Sequence, residues 1–312
     1  MPSTMTPVSP IRIATRRSEL AMAQARLIAS EVEKHLRCET RLLPVTSTGD
    51  REAHRPLREL GGKGMFVKEL EVALLEGRAD LAVHSLKDVP SRLTPQFVLA
   101  AIGWRDDARD ALVSGRRLTF DALPDGARIG TSSLRRKLLL EKLRPDLEVV
   151  PMRGNVSTRI NKLDAGEYEA LVLSAAGLKR LGLLPRASQV FDTDQLLPAP
   201  GQGMLGLEVL AEREDLAQAL AQLCSPECDQ IGRVERRVSE LLEGDCQLPI
   251  ATHAEMKGGG MRLRVWIASV CGQLQASAAI TGALGLALAD RAVEQLLEQG
   301  GEAVMATFRD VS

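Results

Sequence analysis

The feature that most constrains this chain is an alternation, met twice, of short apolar runs with longer amphipathic stretches. Ile11 to Ala14 reads as a strand, and Ser18 is placed to cap a helix with Leu20, Ala23, Leu27, Ile28 and Leu36 on roughly one face. Arg41 to Val45 reads as a second strand. After a polar, Gly-rich loop reaching Gly64, a helix is expected from Phe66 to Glu76, stopped by Gly77, and Ala79 to Val83 reads as a buried strand. Strand–helix–strand order implies a mostly parallel sheet covered by helices. Residues 105–197 repeat this grammar without a strict sequence repeat. Strands are expected at Arg128 to Gly130, Leu147 to Pro151 and Glu169 to Leu173. Helices are expected from near Ser132 and from Val156 to Asp164, the latter ended by Gly166.

Past Leu197-Pro198-Ala199-Pro200-Gly201, a turn-rich hinge candidate, the pattern changes near residue 223. One helix carries Ile231, Val234, Val238, Leu241 and Leu242 and ends at Gly244. Leu263 to Ala268 is strand-like, and a last helix carrying Leu286, Ala289, Val293, Leu296 and Leu297 stops at Gly300. This tail reads as a small α+β domain. A chain of 312 residues, 45% hydrophobic, is near the size where single cores divide, which agrees with two or three domains.

Composition removes several function classes. Aromatic residues make up 3%, Tyr168 is the sole tyrosine, and the formal net charge is -1, so a stacking-based or broadly basic nucleic-acid binder is excluded. Met1 to Pro10 lacks the pattern of a signal peptide, and apolar runs such as Ile280 to Ala289 are too short to span a bilayer. Five cysteines (Cys38, Cys224, Cys228, Cys246, Cys271) suggest reduced thiols and a cytoplasmic protein. Cys224 and Cys228 have no second pair at metal-site spacing, so no metal is expected.

Chemistry-bearing residues gather at strand ends, where open α/β sheets bind ligands. His84-Ser85-Leu86-Lys87-Asp88-Val89-Pro90 follows a buried strand. Lys87 and Asp88 suit a zwitterionic ligand, or form a solvated turn before proline; His84 reads as packed and hydrogen-bonded. Gly130-Thr131-Ser132-Ser133-Leu134-Arg135-Arg136 combines a helix N-terminus with two arginines, which suits an anion but also suits a plain cap with a solvated basic face. Arg153-Gly154-Asn155 with Arg159, and Arg16-Arg17, add arginines at two further strand ends. The ligand expected from them is a small polyanion with several carboxylates. Gly61-Gly62-Lys63-Gly64-Met65-Phe66 lacks P-loop spacing and reads as a hinged lid or simple turn. Cys246, in Gly244-Asp245-Cys246-Gln247-Leu248-Pro249-Ile250, is an accessible loop thiol or an inert buried one, with no nearby histidine as a base.

Taken together and in order, these strings, with Ala14-Thr15-Arg16, Ala79 to Pro90, Gly177 to Arg180 and Pro200 to Gly203, resemble the porphobilinogen deaminase family over essentially the whole chain. The resemblance implies an α/β fold of two lobes like those of type II periplasmic binding proteins, with parallel-rich sheets, and a small α+β C-terminal domain. Its domains would be 1–104 with 199–222 returning to it, 105–198, and 223–312. It implies a monomeric transferase of haem biosynthesis, working in the cleft between the lobes. Four porphobilinogen molecules would condense head to tail with loss of ammonia on a dipyrromethane cofactor, thioether-linked to Cys246, and hydrolysis would free hydroxymethylbilane. Asp88 matches the catalytic carboxylate. Ser85, Lys87, Asp88, Thr131, Ser132, Ser133, Arg135, Arg136 and Gly154 match cofactor contacts. Arg16, Phe66, Arg153, Arg159, Arg180 and Gln202 match substrate contacts, Phe66 belonging to the lid and Gln202 lying near the hinge. Arg135→Leu or Arg153→Leu is accordingly expected to impair cofactor assembly or chain growth with the fold intact. Glu19 stands where many members have proline, Asp245 where many have glycine, and Ser47-Thr48-Gly49-Asp50 is a looser match. The alternative class is a two-lobed anion-binding protein without catalysis, which leaves Cys246, Asp88 and the third domain without a role.

Overall fold

A computed structural model of the chain describes residues 10–47, 64, 66–242 and 248–309. Outside them lie Gly61, Gly62, Lys63 and Met65 of the expected lid, Thr48 to Asp50, and the Gly244-Asp245-Cys246-Gln247 stretch.

In chain order the elements begin with β1 (Ile11–Arg16), α1 (Glu19–Leu36), β2 (Thr40–Val45), α2 (Lys68–Leu75), β3 (Leu81–Ser85), a 3₁₀ turn (Leu86–Asp88) and β4 (Phe97–Gly103). Next come β5 (Asp110–Ser114), β6 (Arg128–Gly130), α3 (Leu134–Leu143), β7 (Glu148–Val150), α4 (Val156–Asp164), β8 (Ala170–Ser174), α5 (Ala175–Arg180) and β9 (Gln189–Val190). The remainder is β10 (Leu205–Leu210), α6 (Glu214–Ala221), α7 (Pro226–Leu241), β11 (Ile250–Lys257), β12 (Gly260–Ala268), β13 (Gln275–Gly282), α8 (Leu286–Leu296) and α9 (Glu302–Arg309). The chain divides into two compact units, Met1–Trp104 with Met204–Asp229 and Arg105–Gly203 with Gln230–Ser312.

The first unit is one lobe with strand order β2-β1-β3-β10-β4. Its three strands β2, β1 and β3 are parallel, and β10 runs antiparallel to both β3 and β4. The second unit holds a lobe of the same plan, β7-β6-β8-β5-β9, with β5 as the antiparallel strand. The parallel-rich sheets expected from sequence are thus each extended by a strand that arrives by crossover from the other unit's stretch of chain. Each lobe is thus an α/β layer on a mixed, parallel-rich sheet, and the chain also carries a small α+β domain.

Local signals explain the element ends. The Ser18 hydroxyl accepts a hydrogen bond from the Ala21 amide at 3.3 Å, capping α1, and Glu19 places a negative charge in the first turn, where the helix dipole favours it. Gly77 and Gly166 end their helices with φ of 63° and 78°, a region costly for other residues. The buried face of α1 differs from the expected one: Gln24, Ala25, Ile28, Ala29 and Val32 face the core, while Leu27 is exposed. Small alanines on that face allow the helix to lie close to the sheet, which periodicity of large residues does not reveal. The last helix also differs. At Gly300, with φ of 100°, it kinks and continues as α9.

The C-terminal domain is a three-stranded antiparallel sheet, β11-β12-β13, covered by helices. It shares a core with the second lobe: Ala251, Trp266 and Ala268 pack in one cluster with Leu112, Ile129, Leu138 and Phe191. Glu235 of α7 fastens this arrangement. Its buried carboxylate accepts from the amides of Gly201 and Ala254, both at 2.8 Å, and pairs with Arg105 at 2.9 Å.

His253 on β11 lies beside Arg264, whose guanidinium donates to its Nδ1 at 3.3 Å and also pairs with Asp194. Burial, with Arg105, Arg264 and Arg262 nearby and Asp107 only partly opposing, pulls the imidazole pKa down to about 3. The unfolded chain binds this proton near pH 6.5. The contribution of His253 is therefore fully present above that pH and is lost as pH falls toward 3. Urea midpoints should show wild-type protein losing stability between pH 7.5 and 5, on the order of 2 kcal/mol from this group. His253→Gln should flatten that limb; an unchanged slope would show that His253 is not its origin.

Candidate functional site

In the first unit the strand ends build a pocket. β1 delivers Arg16, α1 delivers Ala21 and Gln24, β3 delivers Val83, His84 and Ser85, and the 3₁₀ turn delivers Asp88. Phe66 and Val67, just before α2, close the list of lining residues around about 290 Å³ of space open to solvent. The Arg16 guanidinium lies 4.1 Å from the Phe66 ring centroid, a cation–π contact that orients the arginine without neutralising it. The buried Gln24 amide donates to the Ser85 hydroxyl at 2.9 Å. Among the described residues the half-buried Asp88 carboxylate has no hydrogen-bond or ion-pair partner. Lys87 is half-buried on the same turn. Four of the expected residues, Arg16, Phe66, Ser85 and Asp88, therefore do share one pocket. Gln24 was missed, because a polar residue within a core-facing helix stripe carries no local signal.

In the second unit the centre is Asp110, the first residue of β5, fully buried. Arg135 donates to its Oδ2 at 2.8 Å; Arg136 donates to Oδ1 through Nε at 3.0 Å and Nη2 at 2.7 Å. The Gln202 amide donates to the same Oδ1 at 2.8 Å and to the Ala108 carbonyl at 2.6 Å. Arg136 also reaches the Val172 carbonyl at 3.0 Å, and Arg135 the Leu197 carbonyl at 2.5 Å. Burial alone would raise the Asp110 carboxyl, but the charges and hydrogen bonds of the two arginines hold it well below the usual carboxylate range. Burial pushes Arg135 down from the ordinary arginine value.

Two expectations change here. Arg135 and Arg136 do not form a solvated face, and replacing Arg135 removes a buried partner of a buried charge, so the fold is not left untouched. Gln202 is likewise bound to Asp110. Asp110 itself was not singled out, since an Asp beside Arg109 at the start of an apolar run looks like a surface turn.

The remaining residues occupy separate places. Ser133 caps α3, accepting from the Arg136 amide at 3.3 Å, and the Thr131 hydroxyl accepts from the Ser133 amide at 3.3 Å. Gly154, at φ of 112°, lets the chain turn after β7, and a Cβ there would lie 2.8 Å from the Thr158 methyl. Arg159 donates to the Gly154 carbonyl at 2.9 Å, and Arg153 is half-buried with its pKa lowered by that burial. Arg180 donates to the Gly203 carbonyl at 2.6 Å, with burial lowering its pKa against the nearby Asp106. Cys246 lies outside the described residues.

The second-unit cluster has the chemistry of an anion holder. Two guanidiniums face one carboxylate, and the buried Arg135 Nε and Ser132 Oγ have no partner among the described residues. An acceptor-rich group bearing carboxylates fits such donors.

Comparison with known proteins now decides the family. The model described as "Porphobilinogen deaminase, dipyromethane cofactor binding domain" matches residues 11–218. The chain belongs to the porphobilinogen deaminase family. A porphobilinogen deaminase of Burkholderia vietnamiensis is 47% identical over 306 residues, covering 95% of this chain and 90% of its own. One from Burkholderia mallei is 46% identical over 311 residues, covering 98% and 93%. Among solved structures, a nutrient-binding protein from Burkholderia cenocepacia bound to methionine is similar at 13% identity and TM-score 0.43, covering 75% of this chain and 97% of that one. The family is one of tetrapyrrole biosynthesis with a dipyrromethane cofactor, and the matched residues include every expected site residue except Cys246.

Asp110→Ala should leave two guanidiniums buried without their carboxylate and cost roughly 3–5 kcal/mol. Equilibrium urea unfolding checks this; a loss below about 1 kcal/mol would mean that Asp110 does not anchor the second unit.

Proposed function

We propose that this chain is a hydroxymethylbilane synthase of the transferase class, a monomer in the cytoplasm. Four porphobilinogen molecules are joined head to tail with release of ammonia, and hydrolysis frees hydroxymethylbilane. The observation that carries the residue assignment is the Asp88 carboxylate, without a partner among the described residues and set in a pocket with Arg16, Gln24 and Ser85. Porphobilinogen bears an acetate, a propionate and an aminomethyl group, so it asks for cations on one side and an anion on the other. Arg16 suits a carboxylate, while Asp88 suits the ammonium and the pyrrole N–H. As the carbon–nitrogen bond breaks, positive charge spreads over the pyrrole, and a fixed carboxylate stabilises it more strongly than a neutral group.

Dipyrromethane, held through Cys246, supplies the primer on which the chain grows. Ser132, Ser133, Arg135 and Arg136 at the start of α3, with Thr131, Gly154, Ser85, Lys87 and Asp88, would hold it. The cofactor's own carboxylates suit the excess positive charge around Asp110. Arg153, Arg159 and Arg180 are assigned to later substrate carboxylates, with Gln202 and Phe66 shaping the site. The domain division 1–104 with 199–222, 105–198 and 223–312 is part of the same reading.

Two measurements test it. Intact mass and peptide mapping should place a two-pyrrole adduct on Cys246, and Cys246→Ser should fold without it. An adduct on Cys38, Cys224, Cys228 or Cys271 would overturn the assignment. In single-turnover addition of porphobilinogen to cofactor-loaded protein, Asp88→Asn should slow the reaction roughly a hundred- to a thousandfold. Asp88→Glu should keep partial activity. A wild-type rate in Asp88→Asn would remove Asp88 from the chemistry.

A further inference from the structure

One wall of the first-unit pocket rests on a buried charged group that the reaction as described does not use. His84 lines the pocket with Asp88, and its Nε2 is 2.8 Å from Oε2 of Glu208 on β10. Glu208 is entirely buried, and its Oε1 has no partner among the described residues. Enclosing a carboxylate in this way is costly unless pairing and hydrogen bonds offset the lost hydration, and here the one hydrogen bond to the carboxylate among the described residues is that of His84. The backbone is shaped to place it. The pairing of β10 with β4 shifts register between Leu207 and Glu208, an irregularity of the kind that re-aims a side chain. Leu205, Leu207 and Val209 pack on the α1 side of the sheet, which puts Glu208 on the other side, toward α2. Glu71 of α2 feels the charge: burial and then Glu208 push its carboxyl up, with His84 partly opposing. Among the described residues the His84 ring makes no other hydrogen bond, so Nδ1 is the nitrogen left for a ligand.

We propose that Glu208 is a positioning residue for the reaction, fixing the tautomer and orientation of His84 so that Nδ1 faces the substrate beside Asp88 as a hydrogen-bond acceptor for an ammonium or pyrrole N–H. This rests on the reading of the Asp88 pocket as the place where porphobilinogen reacts. A carboxylate behind a histidine is a general way of setting which ring nitrogen accepts.

Side-chain geometry supplies a discriminating test. Gln in place of His84 can put its amide where Nε2 was and keep the Glu208 contact, but offers nothing at Nδ1. Steady-state kinetics and thermal unfolding would be measured on cofactor-loaded wild type, His84→Gln, Glu208→Gln and the double variant. Expected are kcat losses of roughly 10- to 100-fold in each single variant, with KM changed much less. The double variant should be no slower than His84→Gln alone, and His84→Gln should keep the wild-type Tm. Wild-type kcat in His84→Gln, or in a Glu208→Gln protein whose only defect is a lowered Tm, would reduce the pair to packing. Absence of porphobilinogen turnover in wild type would instead overturn the reading on which the proposal rests.

Discussion

Two guanidinium groups share one buried carboxylate in the second unit, and much of that unit depends on the arrangement. Asp110 begins the antiparallel strand β5, Arg135 and Arg136 lie in the first turn of α3, and Gln202 precedes the exit toward β10. One acidic side chain thus ties a strand, a helix and a connecting turn together. The balance of charge is deliberate in its effect. A single pair would be neutral, whereas two arginines on one aspartate leave a net positive charge held in place before any ligand arrives. Preorganised charge of this kind needs no rearrangement when an anion docks, which is why it binds and stabilises better than mobile surface arginines.

The two lobes solve the same topological problem with different chemistry. In each, the third parallel strand ends in a serine: Ser85 opposite Leu205 of β10, and Ser174 opposite Asp110 of β5. Ser174 caps α5, accepting from the Gly177 amide at 3.2 Å, a structural use. Ser85 instead meets Gln24 at the pocket wall, and the turn after it carries Asp88. Where the second lobe places a buried acid at the head of its crossing strand, the first places Glu208 three residues further along. The first lobe, whose Asp88 has no partner among the described residues, is the one proposed above for the reacting centre, and the second, with two arginines on one aspartate, is the one proposed for carboxylates. This division follows from which strand ends hold which charge.

Much was legible from sequence alone because it is local. The Ser18 cap, the helix from Val156 to Asp164, the glycine stops at Gly77 and Gly166, and the placing of Arg16, Ser85 and Asp88 at or just past strand ends depend on residues a few positions apart. The strings around Asp88 and Arg135 also identified the family. What those strings do not state is partnership. Arg136 and Asp110 are 26 residues apart, and His84 and Glu208 are 124 apart. A basic helix start looks the same on paper whether it faces water or a buried acid. The core face of α1 was misread for a related reason: Gln24 and the alanines face inward because the sheet is there, and only the packed sheet shows it. Sequence by itself thus determined the strand–helix order, the strand-end location of the chemistry and the family, since all three are written in neighbouring residues. Tertiary structure alone decided that Arg135, Arg136 and Gln202 converge on Asp110, that Asp88 lacks a partner among the described residues, and that Glu208 stands behind His84. Such contacts arise only when distant strands pair and exclude water, and it is the exclusion of water that makes their charges matter.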